Sequence, residues 1–332
     1  MTLKLIKPDQ SVIYDISNAV ESVTWSGSIL SAGRSVEFTV LNDPYDSGLK
    51  IPAVCVGDYI SFLVGSEELF YGQIFSIERS TAIGTVTYTA YDMMKNLLES
   101  NGRYNFKNTT PEAIAAQVLG DIQVPYNHLE ATGINIKSMI CDSKAFYDII
   151  MGAYTQAYRI TGNRYLPMIW QRAFGVWPAV YTVGNFTLSD ELNVTAASIS
   201  ESMDGIKNTV KIYDDKGNQV GEVKDDTSLQ KFGMFQDVYT VEKGVDPTTA
   251  AKNILKVNPT QNISLSAIGD RNCLSGYSVA VKDAATGLSG KYWIKTDKHT
   301  WQGGTYQMEL ELSFEQLMDE KDIETEEDGD KK

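Results

Sequence analysis

Residues Gly290–Phe314 read GKYWIKTDKHTWQGGTYQMELELSF, and from Gly304 onward apolar and polar side chains alternate without a slip. Tyr306, Met308, Leu310, Leu312 and Phe314 fall on one face, and Gln307, Glu309, Glu311 and Ser313 on the other. A period of two describes a β-strand with one buried and one wet face. The aromatic and β-branched run Gly290–Asp297 supplies its partner strand. The stretch from Lys298 through His299 and Trp301 to Gly303-Gly304 reads as the connecting loop and turn. The whole is a β-hairpin.

A second stretch, Gly72–Asp92, reads GQIFSIERSTAIGTVTYTAYD and echoes the first. Placing Gly84-Thr85 on Gly304-Thr305 sets Val86 on Tyr306, Tyr88 on Met308 and Ala90 on Leu310. On the polar face, Thr87 meets Gln307 and Thr89 meets Glu309. Upstream, each hairpin follows a strand that opens with glycine, Gly57–Phe62 and Gly276–Val281, with one-residue slips in the alignment. Two readings stand at this point. Either the chain holds two copies of one β-domain, or two amphipathic hairpins merely look alike.

At 332 residues the chain is long enough for two or three domains with substantial cores. Its apolar fraction of 42% and charged fraction of 22% are those of an ordinary soluble protein. No apolar run approaches the ~18 residues of a membrane helix, and no basic-then-apolar signal follows Met1. Synthesis in the cytoplasm without export is the expectation. Cys55, Cys141 and Cys273 are far apart and odd in number, which argues against a disulfide framework or a zinc site. A net charge of −14 argues against a nucleic-acid-binding surface, which needs a basic footprint. Residues 319–332 hold eight acids against three lysines, and this acidic tail is expected to be disordered.

In chain order, Leu3–Lys7, Val12–Ile16, Val20–Leu30, Arg34–Leu41, Tyr59–Val64, Leu69–Arg79 and Thr85–Asp92 read as strands of a sandwich or barrel. Asn42-Asp43-Pro44 reads as a turn and Met93–Leu98 as a short closing helix. The first domain is therefore placed at 1–98. Thr110-Pro111 starts a helix that carries Ile114, Val118 and Ile122 on one face. A second helix is expected near Asp142-Ser143, with Phe146, Ile149, Ile150, Ala153, Tyr154 and Ala157 inside and Gly162 after it. With strands at Ile134–Met139, Arg164–Trp170 and Ala179–Val183, residues 99–195 read as a small inserted α/β domain. Residues 196–316 read as a second β-domain with one helix opening at Asp246-Pro247, and 317–332 as the tail. The fold class is α+β and mainly β.

Several residues invite a catalytic reading. Cys141 precedes an expected helix, whose N-terminus could lower a thiol pKa, and His128 or His299 could serve as its base. Cell-wall amidases place Ser-Gly after such a cysteine, whereas Cys141 is followed by Asp142-Ser143. A buried structural cysteine fits better. The acid pairs Glu67-Glu68, Asp190-Glu191 and Asp225-Asp226 could serve a glycosidase, but adjacent acids in expected turns are usually only solvated. Asp214–Asn218 has a fleeting likeness to a calcium loop without its spacing or distal Glu. The sequence thus assigns no catalytic, cofactor-binding or metal-ligating residue, and the expectation is a protein that is not an enzyme.

The chain is similar to the XkdQ/YqbQ family of phage-like tail proteins, relatives of the late-control-D hub proteins of contractile tails. The resemblance rests on Ser28–Pro44, Val56–Phe62, Phe70–Asp92, Asn185–Leu192, Ser202–Val210, and Gly269-Asp270 through Gly290–Leu312. It covers about residues 1–315 in a consistent order of weak motifs, none of them catalytic. It implies two tail-tube-like β-barrels in one chain, with an inserted domain. Three copies would present six barrels as a ring joining the sixfold tail tube to the threefold spike. Implied partners are a second and third copy, the tail tube protein, the spike or tail-tip protein, and baseplate wedge and LysM-bearing tail proteins. Tape-measure protein or DNA would pass only as cargo, through an acidic lumen. The place implied is the baseplate of a phage, prophage or bacteriocin particle assembled in the host cytoplasm. Two alternatives stay open: a tail-associated peptidoglycan hydrolase, and a tail-tip carbohydrate- or receptor-binding module using Trp170, Trp177, Trp293 or Trp301.

Overall fold

The computed structural model describes residues 1–42, 52–79, 84–241 and 246–323. The expected turn at Asp43-Pro44 and most of the acidic tail lie outside them. The fold is α+β and mainly β. Its strands are β1 (Thr2–Ile6), β2 (Ile13–Asp15), β3 (Val20–Ser28), β4 (Ser31–Asn42), β5 (Tyr59–Val64), β6 (Glu67–Arg79) and β7 (Gly84–Tyr91). After α1 (Met94–Glu99) come β8 (Asn101–Thr109), α2 (Pro111–Asp121), β9 (Tyr126–Leu129), β10 (Ile136–Ala145), α3 (Phe146–Thr161), β11 (Tyr165–Trp170) and β12 (Ala173–Pro178). Then follow β13 (Thr182–Ser189), β14 (Val194–Ser202), β15 (Thr209–Tyr213), β16 (Gln219–Lys224), α4 (Asp226–Phe232), β17 (Gln236–Thr240) and α5 (Pro247–Ile254). The chain returns through β18 (Thr260–Ile268), β19 (Ser278–Asp283), β20 (Leu288–Gln302) and β21 (Thr305–Ser313).

One large sheet runs in the order β14-β18-β21-β20-β3-β4-β7-β6-β5-β1-β2, with β19 beside β20 and β13 beside β19. Two identical paths are embedded in it. The strands β3, β4, β5, β6 and β7, taken as a to e, lie in the order a-b-e-d-c; so do β14, β18, β19, β20 and β21. Independent hairpins would have no reason to share a five-strand path, whereas two copies of one unit would. The flanks differ, because β1 joins β5 antiparallel while β13 joins β19 parallel.

The decisive hairpin is tighter than its sequence suggests. Gly303 and Gly304 both have positive φ, 56° and 78°, so two residues make the turn and Trp301 pairs with Tyr306. Lys298–Gln302 is therefore strand, and His299 is a buried strand residue rather than part of a loop. Met308, Leu310 and Leu312 are buried as the alternation requires, while Gln307, Glu309 and Glu311 are exposed. In the first repeat, Leu3, Leu5, Phe38, Ile60, Phe62 and Ile74 form the centre of one core.

Between the repeats, α2 and α3 cover β8 and β10 around Ile114, Val118, Tyr147, Ile150 and Tyr154. Thr110 caps α2 through Oγ1, which accepts from the Ala113 amide, and Pro111 opens the helix as expected. Helix α3 starts at Phe146, four residues after the expected Asp142, because β10 runs on through a bulge with Ser143 at φ 52°. Gly162 at φ 77° ends it. The segment from β13 onward belongs to the second repeat, so the α/β region stops before Thr182 rather than at 195.

The chain divides into two compact units, and not at the expected borders. Ser198–Ile263 forms its own unit, with the β16-β15-β17 sheet, α4 and α5 around Val210, Ile212 and Ala251. Met1–Ala197 and the chain from Ser264 form the other. The expected disorder of the tail also fails for its first residues. Met318 is buried in the α/β core, Asp319 accepts from the Tyr147 hydroxyl at 2.8 Å, and the Lys321 amide donates to Thr155 Oγ1 at 3.0 Å. Beside them, Ile323 lies against Gly152, where a β-carbon would collide with it. The charged composition masked these few anchoring side chains.

Candidate functional site: the seam between the repeats

Strand β20 changes neighbours partway along. Leu288–Trp293 pair with β19, and Thr296–Gln302 pair with Ser22–Ser28 of β3. Between them, near Lys295, the register against β21 slips by one residue. A bulge flips the faces, so the buried set changes from Tyr292 and Ile294 to Asp297, His299 and Trp301. This puts a carboxylate and an imidazole into the seam that joins the repeats.

Asp297 is 1% exposed. It takes Arg34 Nη1 on Oδ1 at 3.0 Å and Arg34 Nη2 on Oδ2 at 2.5 Å, a bidentate pair. The Ser275 amide donates to Oδ1 at 2.6 Å, and His299 Nε2 lies 3.3 Å from Oδ2. Burial pushes this carboxyl up, but the Arg34 charge and the His299 and Arg34 hydrogen bonds outweigh it and hold it below the usual range. His299 Nε2 also reaches the Cys273 carbonyl at 3.1 Å; a carbonyl only accepts, so Nε2 carries hydrogen. The Tyr306 hydroxyl lies 3.0 Å from Nδ1, so both ring nitrogens have a partner. Arg34 also stacks over Trp25, 4.0 Å from the ring centroid, and Trp301 stacks on Tyr306 at 4.3 Å. Gly27 makes room for this, because a β-carbon there would collide with the guanidinium.

A cavity of about 680 Å³ opens beside the seam, walled by Trp25, Arg34, Tyr71, Asp92, Met168 and Tyr277 among others. Asp92 accepts the Arg34 and Met94 amides at 3.2 and 3.0 Å. Burial raises its carboxyl to about 7 against the partial offset of those two amides and the Arg34 charge. The cations at the rim are engaged: Arg172 pairs with Glu68 at 2.6 Å and Arg271 with Glu67 at 3.1 Å. This is the chemistry of a locked joint, with its charges facing one another.

The residues singled out for catalysis are dispersed. Cys141 lies in β10 opposite Tyr104, not at a helix start, and burial raises its thiol to about 11. His128 lies in β9, with Nε2 3.0 Å from Glu130 and its ring stacked on Trp177. Asp190 accepts the Ala284 amide at 2.9 Å, and Glu191 lies 3.8 Å from Lys282. Asp225 caps α4 by accepting from Ser228, and Asp226 pairs with Lys224 at 3.2 Å. Asp214 closes the β15–β16 turn by accepting the Lys216 and Asn218 amides. Among the described residues no group of three or more His, Cys, Asp and Glu could hold a metal ion. Of the tryptophans considered for ligand binding, Trp301 is only 8% exposed and Trp170 is 46% exposed. No helix among the described residues is long and apolar enough to cross a membrane.

The sequence reading missed Arg34, Trp25, Asp92 and Asp297. The signal available was the slip at Lys295: strict alternation from Tyr292 would leave Asp297 facing solvent, and only the bulge turns it inward.

Comparison with known proteins bears on the whole chain. XkdQ of the phage-like element PBSX of Bacillus subtilis (strain 168) is 28% identical over 314 residues, which is 90% of this chain and 94% of XkdQ. YqbQ of the same organism is 28% identical over 304 residues, 88% of this chain and 91% of YqbQ. Among solved structures, the 43 kDa tail protein of prophage MuSo2 from Shewanella oneidensis superposes with a TM-score of 0.72 at 14% identity. That match covers 94% of this chain and 98% of the prophage protein. The fold is thus that of phage tail proteins. The YQBQ-like family model matches residues 23–313, and the chain belongs to that family.

Proposed function

We propose that this chain is a structural hub of a contractile phage-like tail. Three copies form a ring of six similar β-units that joins the sixfold tail tube to the threefold spike. The observation that carries this reading is the a-b-e-d-c path occurring twice in one sheet. A chain holding two copies of one unit can meet sixfold symmetry on one side while keeping threefold symmetry on the other. The relationship to a protein of a phage-like element and the tail-protein fold support a place in a tail or baseplate particle. On this reading the partners are the tube protein, the spike or tail-tip protein, and the baseplate wedge and LysM-bearing proteins. Tape-measure protein or DNA passes through the lumen as cargo, and assembly takes place in the host cytoplasm before release.

The role is not enzymatic on this reading, which is supported among the described residues by the burial of Cys141 and the pairing of Glu68 with Arg172 and of Glu67 with Arg271. The test is deletion of the gene in the producing strain followed by complementation. The expected result is tubes and spikes that fail to join, with full rescue by the wild-type chain and by Cys141→Ala. Clearing of cell walls on a zymogram that disappears with Cys141→Ala would instead favour a peptidoglycan hydrolase. Glycan binding lost on Trp170→Ala, with tails still joined, would favour a receptor-binding module.

A further inference from the structure

The cavity beside the seam has features that the joint itself does not need. Its volume of about 680 Å³ falls in the range of about 300–1,000 Å³ that holds a small ligand. Its wall draws Trp25 from β3, Phe70 and Tyr71 from β6, Leu166 and Met168 from β11, and Tyr277 from the turn before β19. Aromatic rings pack well on such faces, and a methionine sulfur adds a favourable contact with a ring.

The polar groups of the wall narrow the choice of occupant. Arg34 is paired with Asp297, Arg172 with Glu68 and Arg271 with Glu67, so these cations already have their counter-charges. The occupant that fits is neutral. Two donors of the same wall are unmet. Trp25 Nε1 and Arg34 Nε are buried and have no hydrogen-bond partner among the described residues. They belong to one stack, with the guanidinium 4.0 Å from the indole centroid. A buried donor left without a partner costs stability, so an acceptor oxygen brought to this stack is favoured.

One side of the cavity is held in place before any ligand arrives. Gln171 and Arg172, at the tip between β11 and β12, have φ of 49° and 61°, a region costly for residues with a β-carbon. Glu68 accepts from Arg172 Nε at 2.7 Å and from Nη2 at 2.6 Å, and the guanidinium lies 3.8 Å from the Tyr71 ring centroid. This clamp fixes the tip, and a wall already ordered spares part of the cost of binding.

We propose that the cavity binds a neutral aromatic amide, its ring against Met168 and the aromatic wall and its carbonyl oxygen accepting from the Trp25–Arg34 stack. The same chemistry belongs to a free aromatic amide and to an aromatic residue within a peptide. The inference goes beyond the hub reading and stands or falls separately from it.

The test is ligand-observed NMR on the full chain with the N-acetyl amides of phenylalanine, tyrosine and tryptophan, and with N-acetylphenylalanine as the anionic control. At least one amide is expected to bind, and the carboxylate to bind more weakly than its amide. Met168→Trp, which fills the cavity, is expected to abolish binding while the unfolding midpoint is kept. Trp25→Phe keeps a ring and removes Nε1, and is expected to weaken binding about fivefold. A capped Gly-Phe-Gly peptide that binds more tightly than the phenylalanine amide would assign the ligand to a polypeptide; exclusion of the peptide while the amide binds would assign it to a free molecule. No binding by any amide, tighter binding of the carboxylate, or binding unchanged in both variants would overturn the proposal and leave the hub reading untouched.

Discussion

The two repeats share a strand path but differ at one connection and at one edge. In the first, β3 turns into β4 through Ile29-Leu30. In the second, the same connection between β14 and β18 carries residues 203–259, with a sheet and two helices of their own. A hairpin tip sits at the surface, where added chain costs little in packing. The five-strand path is what the core specifies; the a–b connection is where the chain grew. The edge differs in chemistry. Along the outer half of strand d, the second repeat buries Asp297, His299 and Trp301, while the first carries Ile77, Glu78 and Arg79, paired among the described strands with β7.

The comparison breaks most readily at the lock. Removing one partner of a buried ion pair typically costs about 3–5 kcal/mol, since the other charge stays buried and unpaired. Asp297→Ala and Arg34→Ala should each lower stability by that order in denaturant unfolding, whereas the exposed Ser76 on strand d of the first repeat, changed to Ala, should stay within about 0.5 kcal/mol. Equal losses at both places would mean that the edges are not different in kind.

Acid titration sharpens the contrast, because the two carboxyls near Arg34 respond in opposite directions. Asp297 is depressed when folded, so its contribution is present above about 4 and lost as pH falls. Asp92 is raised to about 7 from 3.8, so its contribution is present below pH 4 and is lost as pH rises to 7. Between those values the Asp92 effect is about 1.4 kcal/mol per pH unit. Asp92→Asn should flatten the decline in stability between pH 4 and 7, read from unfolding midpoints. An unaltered slope would show that Asp92 ionises freely in the folded chain.

A smaller effect tests the equivalence of the hairpins. Gly84 and Gly304 occupy matching places and have φ of 114° and 78°, a region costly for residues with a β-carbon. Each Gly→Ala change should cost about 1 kcal/mol. A loss at one glycine and none at the other would show that the two matching positions are held differently.

How much of this was legible in the sequence follows from where alternation survives. The d–e hairpins kept it, so Gly72–Asp92 and Gly290–Phe314 revealed the repeat. Strands a and b of the second copy did not, because residues 203–259 separate them and β14 is mostly small and polar. The one-residue slip in the upstream alignment has a physical cause: β5 and β6 pair through a bulge at Leu69, whereas β19 and β20 pair without one. The bulges of the two d strands, near Phe75 and Lys295, fall at matching positions. The bulge near Lys295 hid the seam, since it turns Asp297 and His299 inward against the pattern. Strand β8, reading NGRYNFKNT, carries too few apolar residues to announce itself, and β10 extends past Cys141 into the place expected for a helix start. Helix caps were readable where a side chain makes them, at Thr110 and Asp246, and missed at Asp225, where the acid pair drew attention to charge instead.

The central claim is that two copies of one sheet unit in each chain build a ring of six from three chains. Native mass of the chain assembled with its tube and spike proteins, imaged as class averages, tests it directly. The account predicts three copies arranged as six lobes around a central hole. A single copy per complex, or a closed ring of any other number, would contradict it.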